Sequence, residues 1–413
     1  MVKNFSIMFN KFLQSGFCAG FCVYAACAIL GASSASGQDG AAALQPAPAD
    51  AAPAGIQERI YSIYNDYKNA VVKVYAQKET SALVSGGTKK MKLDVGTGFL
   101  INKEGNVMTS AFIVYSSSKL WVEWKGVLFE ARMTGVDPLT TMAVIKIEGD
   151  FKSKDAPFVK IDSFGEIAPI GTLLISLSYE MGLPPSPRIG LATGHNIEFG
   201  GVFLPTVYLR TNLPAFSGST GGPVFDLNGR FAGIIIASLP EVGGSFLLPA
   251  RAAARIRDDI LLCSEPIYSW FGLRAEDRDG PDGSTTVVVN LVIETGPANK
   301  AGFKTGDIIQ ELNGTKIENN TQLRNITFFV RPGETAKFKI LRGSETLKLD
   351  VLADRMDPDI VKSAEVSLLP KFADDIKTHP TTAHHKFSEQ NAMQPSAAKA
   401  QTGVSAVPAT DKK

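Results

Sequence analysis

Histidine and cysteine are scarce in this chain. It has four of each in 413 residues, and their positions exclude more than their numbers do. Cys18, Cys22 and Cys27 all lie near the N-terminus, so removal of that segment leaves Cys263 alone. No disulfide then staples the mature chain, and a disulfide-built miniprotein is excluded. Cys263, beside Leu261 and Leu262, reads as a small buried hydrophobe. The histidines are His195, His379, His384 and His385. None has structural-zinc spacing, and the His384-His385 pair reads as part of a solvated tail. An excess of one charge is also missing. Lys+Arg 42 against Asp+Glu 41 gives a net charge of +1, with no local basic stripe, which removes the argument for nucleic acid or an acidic membrane surface. No residue pattern requires a metal or a small-molecule cofactor, and no internal repeat is evident.

What is present suits a folded, exported, multidomain protein. Hydrophobic residues make up 44% and charged ones 20%, enough to build cores, and the length allows two or three domains. Residues 1–37 read as a signal peptide. Lys3 and Lys11 precede an uncharged stretch from Phe12 to Gly31, and Ala32-Ser33-Ser34-Ala35-Ser36-Gly37 offers small residues for cleavage. The rival reading is a retained membrane anchor, since the run is nearly long enough to span. The apolar run continues past Cys27, which argues against a lipoprotein site. The expected location is the periplasm. Residues 38–55 are an Ala/Pro-rich linker.

From 56 to 262 the pattern is mainly β. A helix is expected over Gln57–Ala70, with Ile60, Ile63, Tyr64 and Tyr67 on one face. Strand candidates follow at Val71–Ala76, Gly96–Ile101, Val107–Val114, Leu120–Trp124, Ala143–Ile147, Leu173–Leu177, Val207–Arg210 and Phe231–Ile236. Short strands at such spacing indicate a barrel or sandwich. Ala250–Leu262 reads as a helix joining this block to a smaller α+β unit over 263–354. In that unit Gly296-Pro297 ends a strand and Ala298–Ala301 turns a short helix. Asn319, Asn320 or Thr321 caps a helix running to Phe329, and the strands Ala336–Leu341 and Thr346–Val351 form a hairpin. Residues 355–413 read as a disordered tail.

Several ordered stretches carry a family resemblance. Gly96-Thr97-Gly98-Phe99-Leu100-Ile101, Val107-Met108-Thr109, Asp137-Pro138 through Ala143-Val144-Ile145-Lys146, and Gly221-Gly222-Pro223-Val224-Phe225-Asp226-Leu227-Asn228-Gly229 are similar to the trypsin-like domain of the HtrA/DegP family. Gly296-Pro297-Ala298, Ala301-Gly302-Phe303-Lys304-Thr305-Gly306-Asp307-Ile308-Ile309 and Leu312-Asn313-Gly314 resemble its PDZ domain. The resemblance covers about residues 60–353. It implies a trypsin-like double six-stranded β-barrel followed by a PDZ domain, a mainly β architecture.

The same resemblance locates the places of a catalytic triad, and none holds the expected residue. Phe112 stands for the histidine, Thr141 for the aspartate and Thr220 for the serine. A serine protease needs a hydroxyl, an imidazole to take its proton and a carboxylate to orient that imidazole. Phenylalanine accepts no proton, and no histidine precedes His195 in the sequence. The expectation is a pseudoprotease, with the Gly218, Ser219, Thr220 loop as a relic oxyanion site able to hold a carboxylate or carbonyl oxygen. Ser219, displaced by one position, is expected to aim its side chain away from the nucleophile's place, and His195 reads as a surface or turn residue. Phe112 is expected to plug the old cleft. The alternative is a serine-type endopeptidase with residual or relocated activity. The sequons at Asn313, Asn319 and Asn325 read as turn and cap chemistry.

The PDZ unit keeps what peptide binding requires. Its family adds a peptide C-terminus as a strand beside a sheet edge, with loop amides receiving the terminal carboxylate. The matching loop is Trp270-Phe271-Gly272-Leu273, and the facing helix carries Gln322, Leu323, Ile326 and Thr327. Trp270, Phe271 and Leu323 have an alternative reading as core. Expected partners are protein C-termini or unfolded polypeptides, and the resemblance also implies a homotrimer or a hetero-oligomer with an active relative. The expected role is a scaffold, regulator or chaperone in envelope protein quality control.

Overall fold

A computed structural model describes residues 54–361 apart from 84–88, 150, 152–155, 163–164, 200–201, 240–242 and 281–282. The signal segment, nearly all of the linker and the chain beyond 361, with His379, His384 and His385, lie outside the described residues. Helix α1 (Ala54–Tyr67) begins inside the expected linker and lays Ile60, Ile63, Tyr64 and Tyr67 on the core. Six antiparallel strands then close a first barrel in the order β1-β2-β3-β6-β5-β4. They are β1 (Val71–Leu83), β2 (Lys89–Leu100), β3 (Asn106–Ser110), β4 (Ser117–Trp124), β5 (Val127–Asp137) and β6 (Met142–Ile147). A second barrel repeats this connectivity with β7 (Leu173–Ser178), β8 (Ser186–Phe199), β9 (Val202–Thr211), β10 (Pro223–Asp226), β11 (Phe231–Leu239) and β12 (Gly244–Pro249).

The strand expected over Val107–Val114 ends early. Ser110 caps a short helix, α2 (Ala111–Val114), its hydroxyl accepting from the Phe112 amide at 3.3 Å. The apolar residues there are buried, and a strand's alternation cannot be told from a buried helical turn over so few positions.

Many barrel strands are buried on both faces, which explains their continuous apolar runs. In β6, Ala143, Ile145 and Ile147 join Val72, Val74, Leu100 and Val122 inside the first barrel. Val144 between them points the other way, into a cluster shared with Phe99, Met108, Ile175, Leu177, Phe225 and Phe231. That second cluster draws on strands of both barrels and holds them together.

Helix α3 (Ala250–Cys263) adds Ala252, Ala253, Ile256 and Ile260 to the shared core. Cys263 is exposed, contrary to expectation. It is the last helical residue, next to the exposed Leu261 and Leu262, at the end where Ser264 turns the chain into the left-handed region at φ 62°. Beyond α3 come β13 (Ser269–Trp270), β14 (Leu273–Asp279), β15 (Thr285–Val292), α4 (Pro297–Lys300), β16 (Ile308–Leu312), β17 (Thr315–Lys316), α5 (Asn320–Phe329), β18 (Thr335–Arg342), β19 (Glu345–Leu352) and β20 (Asp354–Arg355). The sheet runs β14-β15-β16-β18-β19, with β14 at its edge. Of the three cap candidates, Asn319 serves, accepting from the Gln322 amide at 2.9 Å. The start of the expected tail is folded: Arg355 pairs with Ser269, and Val361 is buried in the shared core.

Helix α5 also packs on the second barrel. The Arg324 guanidinium donates to the Leu204 carbonyl at 3.1 Å, and Phe328 enters the shared core. Arg255 of α3 donates to the carbonyls of Phe328 and Ile267 and stacks over the Phe328 ring. Tyr268 donates to Asp137 at 2.5 Å, so the junction is tied to the turn that leads into Thr141. Burial pushes the Asp137 carboxyl up, while donors from Thr140, Tyr268 and the Leu139 amide work against that.

Candidate functional site

Backbone hydrogen bonds bring the helix bearing Phe112 against Thr141, and the loop bearing Thr220 against Thr97 of the same barrel. The Ala111 amide donates to the Thr141 carbonyl at 2.8 Å, which sets α2 against the start of β6. Thr141 is 4% exposed, holds a left-handed backbone at φ 58°, and its hydroxyl has no hydrogen-bond partner. Phe112 is half-buried against the first-barrel core, and its carbonyl accepts from Lys78 at 2.7 Å. Lys78 also pairs with Asp94 at 2.9 Å. Burial works to raise the Asp94 carboxyl, but Lys92 and Lys78 outweigh it and hold it below its ordinary value.

The loop bearing Thr220 is fixed from the first barrel by a residue the sequence reading did not single out. The Thr97 hydroxyl accepts from the Tyr179 amide at 2.9 Å and donates to the Gly218 carbonyl at 2.6 Å. The Thr97 amide donates to the Thr220 carbonyl at 3.2 Å, and its carbonyl accepts from the Thr109 hydroxyl at 2.7 Å. Every polar group of this fully buried residue is used. Gly218 sits at φ 95°, where a Cβ would lie 2.4 Å from the Tyr179 carbonyl oxygen. The Met181 amide donates to the Ser217 carbonyl at 2.8 Å, completing the brace. Ser219 is fully buried, and its hydroxyl accepts from the Phe216 amide at 3.0 Å. Among the described residues, the amides of Gly218 and Thr220 reach no acceptor. Two amides of one loop are thus left available to an anion or a carbonyl oxygen.

The one described histidine and the buried carboxylate beside Tyr179 are both engaged elsewhere. His195 is exposed on β8, and its Nε2 lies 3.0 Å from the Ala168 carbonyl. Glu180 is the buried carboxylate on the neighbouring loop, and Arg188 holds it at 2.5 Å. No three metal-ligating side chains cluster among the described residues.

The second candidate site lies between β14 and α5. Gly272 is at φ 71°, and a Cβ there would come 2.8 Å from the Gly296 Cα. Its carbonyl accepts from the Ile293 amide, and the Phe271 carbonyl accepts from the Ala298 amide. The Phe271 and Gly272 amides donate to no acceptor among the described residues. Trp270 pairs with Asp354 in β13 and is half-buried. Phe271 and Leu273 lie half-buried against the PDZ core, with Leu323 buried and Ile326 beside them. Two expected lining groups turn elsewhere: the Thr327 hydroxyl donates to the Leu323 carbonyl, and the Gln322 side-chain Oε1 accepts from the Glu318 amide. At the far end, Asp277 Oδ1 accepts from the Asn320 amide at 2.6 Å. No sequence signal pointed to this link, because it joins residues from different elements.

Two closed barrels and the edge-stranded α+β unit define a trypsin-fold protein followed by a PDZ domain. Family comparison agrees, matching a trypsin-like peptidase domain over residues 96–234 and a PDZ domain over 270–352. The chain is an HtrA/DegP-like member of the trypsin-fold serine-protease family with a C-terminal PDZ domain. It is 27% identical over 280 residues to a probable periplasmic serine endoprotease, DegP-like, from Ectopseudomonas mendocina, covering 64% of this chain and 57% of that protein. A DegP-like protein of the same description from Chlamydia trachomatis is 26% identical over 274 residues, covering 62% and 53%. The chain thus spans a little over half the length of these curated relatives. The fold matches solved structures of the HtrA-type protease AlgW with a tripeptide (TM-score 0.60, 20% identity, 72% of this chain and 98% of that one). It also matches the serine endoprotease from Yersinia pestis (TM-score 0.52, 22% identity, 72% and 98%). The protein is exported, as its N-terminal segment implies and its periplasmic relatives support. Among the described residues no helix is long and apolar enough to cross a membrane.

Proposed function

We propose that this protein is a pseudoprotease that binds polypeptide C-termini through its PDZ groove, with the barrels serving as an inert scaffold in envelope protein quality control. The observation that carries the reading is the content of the cleft. Phe112 and Thr141 offer neither base nor carboxylate, and the one described histidine is bonded elsewhere. Without a base, the Thr220 hydroxyl stays protonated at neutral pH and is a weak nucleophile. The free amides at Phe271 and Gly272, beside the unpaired edge of β14, support peptide capture. So do the relatives solved with a decapeptide and a tripeptide.

A second reading, residual proteolysis, draws on the available amides of Gly218 and Thr220, since a remaining oxyanion site alone sustains roughly 10³-fold or more over water in a model enzyme. The test is turnover of a reduced, unfolded protein by the mature chain. The expected result is no cleavage above the blank. Robust cleavage abolished by Thr220→Ala overturns the pseudoprotease.

A further inference from the structure

We infer that Asp277 makes the PDZ groove select C-terminal segments with an apolar last residue and a lysine or arginine four residues before it. The inference rests on the groove reading above and adds the chemistry of the ligand.

Alternation along β14 places the side chains. Leu273 and Ala275 turn into the PDZ core, and Asp277 follows on the same face, two residues further on. Its carboxylate reaches α5, where Oδ1 takes the Asn320 amide. The opposite face carries Arg274, Glu276 and Arg278.

A peptide whose terminal carboxylate sits on the Phe271 and Gly272 amides must run antiparallel to β14. Each residue back from its end then advances about 3.4 Å along the strand. The last residue stands beside Leu273, the one two before it beside Ala275, and the one four before it beside Asp277. Those three residues share one face, so the upstream one points at the carboxylate.

That carboxylate is positioned and still has capacity. Oδ2 accepts from no described residue, and the residue is exposed. The neighbouring acids are engaged. Glu276 accepts from Asn290 at 2.7 Å and lies 3.8 Å from Arg278, and Asp279 accepts from Thr285 at 3.0 Å. On the helix side, Lys316 is paired with Glu318. The unmatched acceptor facing the groove is thus an anion held in place by a backbone amide, and a cationic side chain complements it.

The test is fluorescence anisotropy on the full mature chain with labelled decapeptides ending in valine. They differ only at the residue four before the end, which is lysine, alanine or glutamate. Lysine is expected to bind about three- to fivefold tighter than alanine, the gain of an exposed charge pair, and glutamate weaker than alanine. Added salt should compress the spread. Asp277→Asn keeps an oxygen for the Asn320 amide and removes the charge, so its three affinities should converge. Equal affinities in the unmodified protein overturn the inference alone, as does a spread that survives in Asp277→Asn. No binding by any of the peptides overturns the groove reading and the inference with it.

Discussion

Gly218, between the barrels, and Gly272, at the mouth of the PDZ groove, hold the same kind of backbone. Both have positive φ, 95° and 71°, and both press against neighbouring main chain, Tyr179 in one case and Gly296 in the other. Each leaves a pair of amides without an acceptor among the described residues. The two loops differ in what must act beside them. A PDZ groove needs amides, a free strand edge and an apolar wall, all of which backbone and core packing supply. A protease cleft needs in addition a side chain that takes a proton. Packing maintains the shape of such a cleft and does nothing to maintain its chemistry. On the proposed reading, the Thr97 network holds the loop at Gly218 while Phe112 and Thr141 stand at the acid–base positions.

The largest expected effect comes from reversing that difference. The combined variant Phe112→His, Thr141→Asp, Thr220→Ser should gain roughly 10³-fold or more in peptide hydrolysis over the native chain, given what triads contribute. The left-handed backbone at position 141 suits aspartate better than threonine. A triple variant that stays at the native level would show that the cleft has lost more than three side chains. Next, Thr97→Val keeps the shape but strands the Tyr179 amide and the Gly218 carbonyl. It should cost about 2–4 kcal/mol in denaturant unfolding, the price of two unmade buried hydrogen bonds. At the groove, Gly272→Ala should cost about 1–3 kcal/mol through its left-handed φ. The same change should weaken C-terminal peptide binding while leaving the cleft unaltered. The smallest effect is the Asp94 pair. Because Lys92 and Lys78 hold this carboxyl below its ordinary value, its contribution is present above about pH 4 and is lost as the pH falls through the folded-state value. For a half-buried pair still open to solvent screening the change should be about 1 kcal/mol or less. Lys78→Ala should flatten that part of the stability profile.

The barrels and the PDZ unit were legible because each depends on residues close together in sequence or on ordered motifs. Leu173–Leu177 reads as a strand from its own composition, and Gly218-Ser219-Thr220-Gly221-Gly222-Pro223 reads as a nucleophile loop from its own order. Thr97 was not legible as the hub, since its partners lie in β7's exit and in the loop before β10, about 80 and 120 positions away. Asp277 and Asn320 met for the same reason, through the folding of the PDZ unit. The short helix α2 escaped because four apolar residues carry no periodicity. Cys263 was misread because Leu261 and Leu262, the apolar neighbours that suggested burial, are themselves exposed at the end of the helix.

If the barrels are an inert scaffold, the Thr220 hydroxyl is unactivated, and an active-site fluorophosphonate probe reads that directly. Incubated with the mature chain and followed by intact mass, it should leave the protein unlabelled while labelling a serine protease run beside it. A stoichiometric adduct mapped to Thr220 would contradict the account.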